Sequence, residues 1–71
     1  MNELTAACEK WLGKNWRVSV KPNGYYCVSF LYQPNNYKTH IQLSFEARNE
    51  KALIKIIKEN AHDLIEKGKC L

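Results

Sequence analysis

Acidic residues are missing from the middle of this 71-residue sequence. None occurs from Lys10 to Phe45, while Lys10, Lys14, Arg17, Lys21 and Lys38 all fall inside that stretch. Long apolar runs are missing too. The longest charge-free run, Pro22 to Tyr37, is full of Asn, Gly, Gln and Tyr, and crossing a bilayer takes about 20 apolar residues. Glu3 stands where a secretion leader carries positive charge, and no apolar block follows. The expectation is a cytoplasmic chain with no membrane partner. Cysteine is sparse: Cys8, Cys27 and Cys70 are widely spaced, with no C-x-x-C pair. That excludes a zinc ribbon or redox motif and suits a reduced compartment. Cys8 is expected in the core and Cys70 exposed. The glycines are isolated, so no Gly-rich phosphate loop is present.

The same scarcity argues against catalysis and against any cofactor or small-molecule substrate. A serine-type site needs Ser, His and an acid in mutual reach, and no acid is expected near His40. Glu59 and His62 form one Glu-x-x-His pair, but a metal site in a helical layer needs further carboxylates. Cys27 and His40 are expected on neighbouring strands, without a third group to orient them. The expectation is a non-enzyme.

What is present is a patterned globular chain. Hydrophobic residues make up 45% and charged residues 25%, with net charge +4. This composition suits one small domain, residues 1–71, rather than a disordered tail. Asn2 is a good N-cap. Leu4, Ala7, Cys8, Trp11 and Leu12 then recur at helical spacing, and Gly13 is a natural stop. A helix is expected over about residues 3–12. Trp16, Val18 and Val20 alternate with Arg17, Ser19 and Lys21, a half-buried strand. Lys21-Pro22-Asn23-Gly24 reads as a turn. A second strand is expected over Tyr25–Tyr32, a turn at Gln33-Pro34-Asn35-Asn36, and a third strand from Tyr37 or Lys38 to Phe45. Asn49 caps a last helix whose apolar stripe is Leu53, Ile54, Ile57, Ala61, Leu64 and Ile65, ended by Gly68.

The order α-β-β-β-α with short turns predicts an α+β two-layer sandwich. A three-stranded antiparallel meander should carry both helices on one face. Trp16, Val18, Val20, Val28, Phe30, Ile41, Leu43 and Phe45 are the expected core of the sheet. The opposite face should be basic and free of acid, with Arg17, Lys21, Tyr25, Lys38 and His40 among short polar side chains. Tyr37 begins the third strand beside it. Cations without countercharges, next to aromatic rings, suit phosphates and stacked bases.

The element order is similar to the double-stranded RNA-binding fold over the whole chain. Arg48, Lys51 and Lys55 stand where that family has a basic run opening its last helix, without the family's lysine pair or Gly-rich approach. The same order looks like small HicA-type toxin ribonucleases. Those need a histidine after a Gly-Ser-like strand motif, and here only His40 is expected on a strand. Residues 16–66 also look like the arm-type DNA-binding sheet of tyrosine integrases. Three roles follow from charge, aromatics and topology. First is a binding module for an anionic partner, foremost nucleic acid, through Arg17, Lys21, Tyr25, Tyr37, Lys38 and His40. Second is a protein–protein inhibitor or adaptor of the kind carried by phages and mobile elements, using the same Tyr-rich loops against an acidic protein surface. A distant third is a HicA-like ribonuclease.

Overall fold

A computed structural model describes residues 2–71, from Asn2 to Leu71. The elements run α1 (Glu3–Trp11), β1 (Trp16–Val20), β2 (Tyr26–Pro34), β3 (Ile41–Ala47), α2 (Glu50–Lys67) and β4 (Gly68–Cys70). Both helices begin as the sequence predicts. The Asn2 side chain accepts from the Thr5 amide at 2.7 Å, and Asn49 from the Ala52 amide at 2.8 Å. Each satisfies one of the amides that a helix start leaves without a partner. Gly13 follows α1 at φ +77°, a left-handed conformation that favours glycine.

The first hairpin closes as expected. The Lys21 amide donates to Tyr25 O and the Gly24 amide to Lys21 O, each at 2.8 Å. Gly24 takes φ +87°, and Asn23 Oδ1 accepts from the Tyr25 amide. The register Trp16↔Phe30, Val18↔Val28, Val20↔Tyr26 and then Val28↔Phe45, Phe30↔Leu43 puts the apolar residues of three strands on one face. Both helices lie on that face, making an α+β two-layer fold. Val28 and Phe30 from β2, Leu53 and Ile57 from α2, Leu4 and Cys8 from α1, and Leu12 just after it form one buried cluster. The Phe30 and Phe45 rings are 5.3 Å apart and tilted at 50°, a favourable aromatic geometry.

Several boundaries depart from the sequence expectation. A fourth strand exists: after Gly68 the chain pairs with the far end of β2, Tyr32↔Cys70, Gln33↔Lys69 and Pro34↔Gly68. Strand β4 therefore lies in line with β1, along the same side of β2. Cys70 is half-buried there rather than exposed, and burial pushes its thiol above the usual range. Strand β2 continues through Gln33 and Pro34, so the expected four-residue turn is not free. The Asn35 amide donates to Lys67 O at 2.8 Å and the Asn35 side chain to Glu66 O at 3.2 Å. The Tyr32 hydroxyl donates to Leu64 O. Together these groups satisfy carbonyls that the end of α2 would leave unpaired. Val20, Ile41 and Ile65, expected inside, are exposed, Val20 at 59%. Val20 and Ile41 sit at the ends of their strands, and Ile65 falls on the flank of the buried stripe Leu53, Ile57 and Ala61 of α2.

The open face of the sheet as a candidate binding surface

Alternation sends every second residue away from the helices. The outward set is Arg17 and Ser19 from β1, Cys27, Ser29, Leu31 and Gln33 from β2, Gln42, Ser44 and Glu46 from β3, and Lys69 from β4. All are exposed or half-buried. The register lines Arg17 up with Ser29 and Ser44 across the sheet. Beside that row lies a shallow depression of about 450 Å³, lined by Lys14, Asn15, Arg17, Ser29, Leu31 and Gln42. The loop entering β1 is held in place there, because the Lys14 and Asn15 amides donate to Leu71 O at 2.8 and 3.1 Å. Two cations, two amide side chains and a hydroxyl thus face one concave patch without a carboxylate in it.

Of the six expected site residues, only Arg17 reaches this patch. Among the described residues the one ion pair is Lys21 Nζ to Glu46 Oε2 at 2.9 Å, so Arg17 is free of any. Lys21 lies at the first turn and is not free. The hydrogen bond to Glu46, and then its charge, hold the Lys21 ammonium above the usual lysine range. The expectation of an acid-free face is corrected here. Strand β3 runs on to Ala47, and the two-residue period then carries Glu46 onto the outer face opposite Cys27. Tyr25 is half-buried and precedes β2 in the turn.

The other three expected residues fall away from the face. Strand β3 begins at Ile41, so Tyr37, Lys38 and His40 belong to the β2–β3 loop, not to a strand. That loop is at the opposite end of β2 from Lys21 and Tyr25, about 27 Å away for a strand of this length. Tyr37 is 58% exposed. It turns toward the helical layer, lining an apolar groove of about 320 Å³ with Ile41, Phe45 and Leu64 between β3 and α2. Lys38 and His40 are exposed. Cys27 lies opposite Glu46 while His40 precedes the residue opposite Tyr32. The register leaves Cys27 and His40 about 20 Å apart along the sheet, so they do not form a nucleophile–base pair. Glu59 and His62 stay on the exposed side of α2, and no three-residue His, Cys, Asp or Glu cluster forms among the described residues.

Sequence reasoning places Arg17 on an outer face among short polar side chains, which include Ser29 and Gln42; it missed Lys14 and Asn15, which the loop before β1 adds to the depression, and Lys69, further along the face. No local signal marks Lys69, because three residues are too few to show a strand period. The likenesses in element order find no support beyond topology: no protein-family model, curated protein or solved structure matches this chain.

Proposed function

We propose that the protein is a non-enzymatic binding module whose open sheet face engages the phosphate backbone of nucleic acid. The observation that carries this reading is Arg17. It is a planar cation, free of ion pairs, on the edge strand of an uncovered face and beside Lys14 and short polar side chains. Lys69 extends the positive character along the same face. Lys21 contributes less than its position suggests, because Glu46 already neutralises it.

The test is an anisotropy titration of short labelled RNA and DNA, single- and double-stranded, across a salt series. Arg17→Ala should weaken binding and flatten the dependence of log affinity on log salt by about one contact. Lys21→Ala should change the slope less. Absence of binding at about 20 mM salt, where such contacts are strongest, would sink the proposal. A second reading, a protein-binding adaptor or inhibitor, is favoured by the exposed Tyr37 beside an apolar groove. In that case Tyr37→Ala should speed dissociation of the protein partner, while the nucleic-acid salt slope stays flat for every variant.

A further inference from the structure

We propose that β1 pairs edge to edge with β1 of a second copy, joining two sheets into one. Strand β1 leaves one row of its backbone groups unused. The Lys21 amide bonds to Tyr25 O, so Lys21 turns its backbone toward β2. Backbone direction alternates along a strand. Ser19 and Arg17 therefore also bond inward, and the amides and carbonyls of Trp16, Val18 and Val20 point out of the sheet. Nothing in the fold covers them: α2 packs against β2, β3 and β4, and α1 against α2, but neither helix packs closely on β1. No residue of β1 is buried, and Val20 is among the most exposed large apolar residues. Strand β1 also lacks the usual guards of a free edge, having no proline and no charge on its helix-side face.

The chemistry of this edge selects a second copy as the occupant. A twofold axis through Val18 makes the edge self-complementary. Val18 then bonds with Val18 of the second copy, and Trp16 lies beside the exposed Val20 of the other chain. Arg17 faces Ser19 of the second copy at a non-hydrogen-bonded position, where opposed side chains are closest. Sliding the second copy by two residues either way sets Arg17 opposite its own equivalent or opposite Lys21. Like charges directly opposed are destabilising. A slide by one residue turns the wrong face outward. Charge and hydrogen-bond parity thus favour the Val18-centred register over its neighbours. The axis is perpendicular to the sheet, so both outer faces look the same way. The two Arg17 side chains become diagonal neighbours about 8 Å apart. The contact is a single five-residue strand, less than a standard interface, so the dimer should be weak, with a dissociation constant of about 100 µM.

Sedimentation equilibrium under reducing conditions tests this, with circular dichroism to verify folding. The mass should rise with concentration from 8.3 kDa toward twice that value. Ser19→Glu should tighten the dimer about tenfold, through two new pairs with Arg17, and Ser19→Arg should loosen it about tenfold. Val18→Pro removes an amide that only the second copy uses, so it should yield a folded monomer. A monomer at every concentration up to about 500 µM would overturn the proposal. So would a dimer indifferent to both Ser19 changes, or one that survives Val18→Pro. If Val18→Pro unfolds, the two Ser19 variants decide, because Ser19 is exposed and its substitution leaves the core untouched.

Discussion

Strands β1 and β4 lie end to end along the same side of β2, yet they are held in opposite ways. Strand β1 has five residues with an apolar alternation of its own, and depends on β2 alone for its backbone bonds. Strand β4 has three residues and no pattern to speak of, but the protein closes around it. The Leu71 amide donates to Leu31 O, and Leu71 O accepts from Lys14 and Asn15. Gly68 is so close to β2 that an added Cβ would collide with Gln33 O and come within 2.7 Å of the Tyr32 hydroxyl. A strand can therefore be specified by its own side chains or by the backbone packed around it. The first kind leaves a reactive edge, and the second leaves no room for change.

The sharpest way to break this contrast is to put a side chain where β4 has none. Gly68→Ala should cost about 3 kcal/mol, an overpacking penalty, measured by urea denaturation. Val20→Ala at the exposed end of β1 should cost only about 0.5 kcal/mol. Equal losses at the two positions would erase the distinction between the strands. Next in size is the tie between the β2–β3 loop and α2. Asn35→Ala removes the side-chain bond to Glu66 O and should lower stability by about 1 kcal/mol, in the range of a lost helix cap. Asn36→Ala, at an exposed position with no such bond, is the matched control.

The smallest expected effect is a pH dependence of the layer beneath. Burial, reinforced by the charge of Glu9, pushes the Cys8 thiol up from 9.0 to about 11. The folded state then holds this proton more tightly than the unfolded chain does. The resulting stability is complete well below pH 9 and is lost as pH rises through 9 toward 11. Burial moves Tyr32 and Cys70 in the same direction. The loss traceable to Cys8 should be a fraction of a kcal/mol by pH 9, on the order of half. Replacing Cys8 with Ala should reduce the slope of the stability–pH curve, and an unchanged slope would place the titration elsewhere.

The elements that were legible in the sequence are those whose own side chains carry the period. Leu4, Cys8 and Leu12 mark the buried face of α1, and Val28 and Phe30 mark that of β2. The fourth strand was not legible. Gly68, Lys69 and Cys70 have no pattern longer than three residues, and their conformation comes from the backbone of Tyr32 to Pro34. The candidate site was read less well than the fold, because its composition depends on where β3 starts and stops. Beginning at Ile41 removes Lys38 and His40 from the sheet, and ending at Ala47 adds Glu46. Asn35 looked like an ordinary turn residue. Its partner carbonyl on Glu66 is 31 residues away in sequence, where no local rule reaches.

That separation bears on the order in which the molecule assembles. The first hairpin closes through a short turn. The contacts that dock the end of α2 on β2 span 31 and 32 residues, as at Asn35–Glu66 and Tyr32–Leu64. Closing the longer loops costs more chain entropy before any contact repays it. The end of α2 and β4 should therefore zip up after the rate-limiting step. Substitutions at Asn35 or Gly68 should then act on the unfolding arm of a chevron plot and leave the folding arm nearly unchanged. The clamp on β4 works as a latch, setting how long the native state lasts rather than how fast it is reached.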